Sequence, residues 1–226
     1  MAETGQPDLP EGEARLLGVD RVGRTVIVTL DDGRSFELDQ DSVPAGLPPV
    51  GRTVPAEVVA GLNAARERKL AARDLMTMLG RRLLPVAKLR RKLLDRGHSP
   101  DVVEQVLELM QAKGLCSDRQ FAEAYCRDTL RDRPVGPRYL VAHLRSRQVP
   151  SEVAREAVAA VLDGEQEKEL ALQAAVSRWR RLSGPADAAS LARVVRYLLG
   201  RGFSPGVAHT AARLARPDGP READVS

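Results

Sequence analysis

The chain has 226 residues and a formal charge of +4, with 43% hydrophobic but only 3% aromatic residues. Its apolar content is therefore mostly Ala, Leu and Val, which suits small-residue packing between helices better than a sandwich of strands. The first ten residues carry acids and no apolar run, and no stretch approaches the roughly 18 uninterrupted apolar residues of a bilayer crossing, so neither membrane insertion nor secretion is expected and the expected setting is cytoplasmic.

Charge is spread unevenly: residues 1–60 hold 5 basic and 11 acidic side chains, residues 61–216 hold 29 and 17, and the last ten hold 1 and 3. A basic body between acidic ends is the electrostatic footprint of a protein that meets nucleic acid or an acidic protein surface. A solvated Arg-rich helix face has the same composition.

In chain order, residues 1–13 read as a flexible tail. Residues 24–30 are rich in β-branched side chains, Asp31-Asp32-Gly33 follows as a tight turn, and residues 35–39 alternate apolar and polar, so a hairpin is expected. Residues 15–22 supply a third strand, giving a small antiparallel β meander that needs cover from a helix or a neighbour. Proline and glycine then cluster over 44–55, and residues 14–60 are expected to form a β segment with its linker.

From residue 62 the apolar positions fall three and four apart, and one unit overlays itself three times. Leu89, Leu93, Arg96, Val102 and Val106 recur 51 residues later as Leu140, Leu144, Arg147, Val153 and Ala157, and 54 residues further as Val194, Leu198, Arg201, Val207 and Ala211. Each unit has a longer helix in front, over 64–82, 118–132 and 165–182. The expected fold is mainly α: three tandem three-helix repeats in an elongated array, at 61–116, 117–164 and 165–216, with a flexible tail over 217–226. Gly97 and Gly202 fit left-handed C-caps, and Ser99-Pro100 and Ser204-Pro205 fit N-caps with proline in the first turn. Gln148 stands where the other repeats have glycine, which predicts a different cap for the second repeat.

No catalytic constellation is legible. His98, His143 and His209 lie at no ligand spacing and read as structural or solvent-facing; Cys116 and Cys126 lack a Cys-x-x-Cys or a neighbouring His and read as plain buried thiols. No phosphate-binding glycine loop and no nucleophile elbow occurs, so neither an enzyme nor a cofactor is expected. Glu165, Glu167 and Glu169 head a helix, where acids offset the dipole.

The cations say more. Helical spacing puts Val86, Leu89 and Leu93 on one face and Lys88, Arg91 and Lys92 roughly opposite. With Arg90 these make four cations in five residues, whose mutual repulsion is offset by a phosphate or carboxylate surface. Arg193 and Arg196 repeat the arrangement in the third unit, and Arg138 and Arg145 are the nearest charges in the second. Arg96, Arg147 and Arg201 end the same helix in all three units, as dipole compensation or as part of a binding face. Arg178, Arg180 and Arg181 surround Trp179, whose ring is expected in the core, with base stacking as the lesser reading.

The segments 89–97 (LRRKLLDRG), 102–109 (VVEQVLEL), 114–125 (GLCSDRQFAEAY), 136–140 (GPRYL) and 201–203 (RGF) together resemble the RecX family, regulators of the RecA recombinase. The likeness covers about residues 70–215 in the family's order. Three places depart from it: Ser117 where an acid is common, Gln148, and the apolar link over 82–85. The resemblance implies a protein that lodges along the RecA filament on single-stranded DNA and restrains filament growth, ATP hydrolysis, strand exchange and LexA cleavage. The expected partners are thus the RecA nucleoprotein filament and, more weakly, single-stranded DNA, met by a monomer. Two other readings stand beside it: a direct DNA-binding protein resembling a transcription factor, and a general helical scaffold.

Overall fold

Period-two alternation near the N-terminus does produce a sheet. The computed structural model describes residues 14–183 and 185–217, so the expected tails at 1–13 and 217–226 lie, apart from Pro217, outside the described residues. Strands β1 (Leu16–Val22), β2 (Thr25–Leu30) and β3 (Ser35–Asp39) form an antiparallel meander in sequence order. The β2–β3 turn has Gly33 at φ 88°, Asp31 accepts from the Arg15 N–H at 2.7 Å, and Asp32 accepts from the Arg34 side chain at 2.7 Å.

One face of the sheet presents Leu16, Val26, Val28, Leu30, Phe36 and Leu38, and Val58, Leu62 and Ala65 of helix α1 (Ala56–Leu79) complete that core. α1 therefore starts eight residues before the expected position at 64, and the boundary drawn at residue 60 runs through it. Val58, Val59 and Gly61 are poor helix formers, which hid these turns in the sequence; burial against the sheet overrides that propensity. Lys69 ties α1 to β3 through Glu37 at 2.9 Å and Asp39 at 3.7 Å.

The remaining helices are α2 (Val86–Leu94), α3 (Pro100–Ala112), α4 (Asp118–Asp132), α5 (Pro137–Ser146), α6 (Ser151–Val161), α7 (Gly164–Arg180), α8 (Ala188–Gly200) and α9 (Pro205–Leu214). With α1 they make three tandem three-helix repeats, α1–α3, α4–α6 and α7–α9. The contacts divide the chain into two compact units: residues 14–80 with 92–109, and residues 81–91 with 110–217. In the second unit α6 packs on α4 and α5, and α9 packs on α7 and α8. The third repeat has a core of small residues, Ala171, Ala174, Ala175, Ala208, Ala211 and Ala212, around Phe203 and Trp179. The Trp179 indole N–H donates to the Ala212 carbonyl at 3.0 Å, so the ring is core.

The helix starts use an acid the sequence reading had assigned to the dipole. Ser204 makes no side-chain cap bond; its backbone N–H donates instead to Glu167 of α7 at 2.7 Å. The Ser99 N–H likewise donates to Glu67 of α1 at 2.6 Å. Glu67 and Glu167 each precede a buried alanine, Ala71 and Ala171, by four residues, and in the second repeat that place belongs to Asp118, ahead of Ala122. Pro150 replaces the serine there and has no N–H to cap. Asp118 accepts from the Val86 N–H at 2.9 Å instead and so caps α2.

The joints after α2, α5 and α8 share one turn. Gly97, Gln148 and Gly202 have φ of 87°, 67° and 82°. In each, two N–H groups turn back on the helix: Gly97 to Leu94 O and His98 to Leu93 O, Gln148 to Arg145 O and Val149 to Leu144 O, Gly202 to Leu199 O and Phe203 to Leu198 O. The different cap expected at Gln148 is thus corrected. The bonds that satisfy the last carbonyls, and the burial of Val149 behind them, hold a non-glycine residue in the left-handed region at a cost of about 1 kcal/mol.

Between the second and third repeats two buried glycines let backbone meet backbone. The Gly136 N–H donates to Arg201 O at 2.9 Å, the Arg138 N–H donates to Gly202 O at 3.1 Å, and an Arg201 guanidinium N–H donates to Pro134 O at 3.1 Å. A Cβ on Gly136 would collide with Gly202 O and Phe203 N, and one on Gly202 with Tyr139 N.

Gly136→Ala is expected to lower stability by about 2 kcal/mol or more, as overpacking of a close contact does, read from the midpoint of urea unfolding. Gln148→Gly is expected to raise stability by up to about 1 kcal/mol by releasing the left-handed strain; a lower midpoint would show that the Gln148 side chain stabilises the joint.

Candidate functional site

The positions that dock the second repeat on the third are filled differently one repeat earlier. Gly136 corresponds to Pro85 and Gly202 to Gln148, by the same 51- and 54-residue offsets. Pro85 has no N–H to offer Arg147 O, and Gln148 carries a side chain where the equivalent glycine lies against backbone. The close docking cannot form, and an open cleft of 680 Å³ lies there, within the second compact unit.

Its walls come from the 82–91 segment, the start of α4 and the end of α5. Arg82, Lys88, Arg91 and Arg147 supply four cations, Phe121 and Tyr125 supply two rings, and no carboxylate lines it. Phe121 and Tyr125 are one turn apart on α4 and stack with centroids 6.2 Å apart and planes at 23°. The Arg147 guanidinium lies 4.5 Å from the centre of the Tyr125 ring and donates to His143 O at 3.0 Å, a last-turn carbonyl of α5. α4 is held in place by Ser117, whose hydroxyl accepts from the Arg119 N–H at 3.2 Å, so its departure from the family pattern supplies the N-cap.

The structure separates the cations that the sequence had grouped. Lys88 and Arg91 line the cleft, and Lys92 and Arg90 are half-buried and do not line it. The three equivalent arginines diverge: Arg96 lies 3.9 Å from Asp74, Arg147 stacks in the cleft, and Arg201 stacks on Tyr197 at 4.9 Å. Arg178 lies over the same Tyr197 ring at 5.2 Å, its Nε buried without a hydrogen-bond partner in the chain. Arg138, Arg145, Arg181, Arg193 and Arg196 are exposed, outside the cleft. Arg82, Phe121 and Tyr125 were missed as site residues; the available signal was an i, i+4 ring pair in a chain with only three Phe and three Tyr.

The histidines are bound into structure or solvent. His98 Nε2 is 3.1 Å from Asp74 Oδ2, and His209 is exposed. His143 stacks on Tyr139 at 4.0 Å; burial, with Arg147 and Arg133 adding positive charge, lowers its pKa below the ordinary imidazole value. Among the described residues, no group of His, Cys, Asp and Glu is placed to hold a metal ion, and no helix is long and apolar enough to cross a membrane. Burial pushes the Cys126 thiol up to about 11 and raises that of Cys116.

The fold and this site define a tandem three-helix-repeat protein with a cationic, aromatic-sided cleft. Family models described as the RecX second and third three-helix domains match residues 117–158 and 165–211. A protein named Regulatory protein RecX from Chromohalobacter salexigens is 36% identical over 132 residues, covering 58% of this chain and 82% of its own. Another of that name from Halorhodospira halophila is 35% identical over 153 residues, covering 67% and 92%. The crystal structure of a regulatory protein RecX, 19% identical, superposes with a TM-score of 0.71 over 86% of this chain and 96% of that one, a likeness of fold. The chain belongs to the RecX family.

Because both thiols are buried and their pKa values raised, the native chain is expected to react slowly with a thiol reagent at pH 8 and to release two equivalents on denaturation. Fast labelling of either cysteine in the native state would contradict that burial.

Proposed function

We propose that the chain is a regulatory protein that binds the RecA filament on single-stranded DNA and restrains its recombinase, ATPase and LexA-cleavage activities, acting by binding and without catalysis. Membership of a family whose relatives carry the name Regulatory protein RecX supports this reading. The single observation that carries it to particular residues is the cleft with four cations and no carboxylate. Such a surface is attracted to the phosphates of a nucleoprotein filament or to acids on its protein. The reading as a transcription-factor-like groove reader has less support, since the cleft's cations come from three elements and no single helix presents them.

The purified chain is expected to slow RecA ATP hydrolysis on single-stranded DNA at near-equal or lower molar ratios. Replacing Lys88, Arg91 and Lys92 together with Ala is expected to weaken that inhibition about ten-fold or more, as loss of several charge contacts does, with the helical circular dichroism retained. Undiminished inhibition by the triple variant would remove this face from the site, and no inhibition by the unaltered chain would overturn the function.

A further inference from the structure

We infer that the cleft between the 82–91 segment and α4–α5 is a binding site for an unpaired nucleotide stretch, with phosphates held by Lys88, Arg91 and Arg82 and a base stacked against the Phe121–Tyr125 pair. This rests on the functional reading above and names the ligand chemistry of its site.

Two independent features meet in the cleft. The first is charge, four cations without a carboxylate; this alone suits a phosphate chain and an acidic peptide equally. The second is the pair of stacked rings on α4, half-buried and lining the same opening. An acidic peptide gains little from such rings, whereas every base has a π-face to lay on them. Arg147, whose guanidinium carbon lies 4.5 Å from the centre of the Tyr125 ring, adds a positive charge beside the rings. The rings are scarce in this chain and their neighbours explain the opening: Pro85 and Gln148 keep the backbones apart where Gly136 and Gly202 bring them together. In a duplex the bases are paired and stacked on one another, so only an unpaired stretch can lend a face to Phe121 or Tyr125.

The test uses the full chain alone, without recombinase, and fluorescence anisotropy with four probes of matched length or charge: an oligo-dT strand, the same strand with abasic sites, a duplex, and poly-glutamate. The oligo-dT strand is expected to bind about ten-fold tighter than the abasic strand, the difference that stacking of one base makes, and tighter than the duplex. Phe121→Leu with Tyr125→Leu is expected to bring oligo-dT binding down to the abasic level and leave abasic binding unchanged. Lys88→Ala with Arg91→Ala is expected to weaken both strands alike. Equal binding of oligo-dT and abasic strands by the unaltered chain would overturn the stacking site, whatever the variants do. Displacement of oligo-dT by poly-glutamate at equal charge would assign the cleft to an acidic peptide instead. Either result leaves the ATPase experiment with RecA standing, so failure here is distinguishable from failure of the regulatory reading.

Discussion

The contact on which the second compact unit turns is backbone against backbone, Gly136 meeting Gly202 with no side chain between them. Only two glycines permit the exchange of N–H to carbonyl bonds across the repeats, because any Cβ would take the space of the opposing chain. The same two positions one repeat earlier hold Pro85 and Gln148, which remove a donor and add a side chain. A closed junction and an open cleft thus arise from one repeated plan, and the difference lies in four residues. The exposure of Lys88 in the cleft depends on that opening, since a closed junction would set Lys88 against the neighbouring turn as Tyr139 is set against Gly202.

Similar divergence runs through the other repeated positions. The acid four residues before the buried alanine caps a helix within its own repeat when a serine N–H is there to donate to it, as Ser99 does to Glu67 and Ser204 to Glu167. Where Pro150 withholds that N–H, Asp118 reaches back to α2 and secures the wall of the cleft. The arginine that ends the second helix of each repeat is drawn to whatever faces it: a carboxylate at Asp74, a ring and a carbonyl at Tyr125 and His143, a ring and a carbonyl at Tyr197 and Pro134. Dipole compensation accounts for part of the placement of Arg147 alone, through His143 O. Ion pairs such as Arg155 with Glu152 and Arg131 with Asp128 are exposed pairs within one helix and contribute little to stability.

The N-terminal meander illustrates a constraint of a different kind. A three-stranded sheet with one apolar face is unstable uncovered, and the cover is the first half of α1, whose second half belongs to the first helical repeat. One helix thereby continues from the sheet's core into the first helical repeat, with Ala71, Leu75 and Met78 buried beyond the sheet-covering turns. Lys69, bonded to Glu37 and Asp39 on β3, adds a polar clasp on the side of that packing.

By itself the sequence determined the three strands, the helix count and the threefold repeat, because periods of two and 3.6 and the recurrence of Leu89, Leu140 and Val194 are properties of the chain order. It also placed Lys88 and Arg91 on the outward face of α2, since angular position along a helix follows from spacing. Only the tertiary structure decided where α1 begins, because burial against a sheet outweighs the weak propensity of Val58, Val59 and Gly61. It alone decided that Gln148 keeps the left-handed turn, that Glu167 caps α9, and that Phe121 and Tyr125 share a cleft with Arg147. These are contacts between residues distant in sequence, and their energies depend on neighbours that no local pattern names.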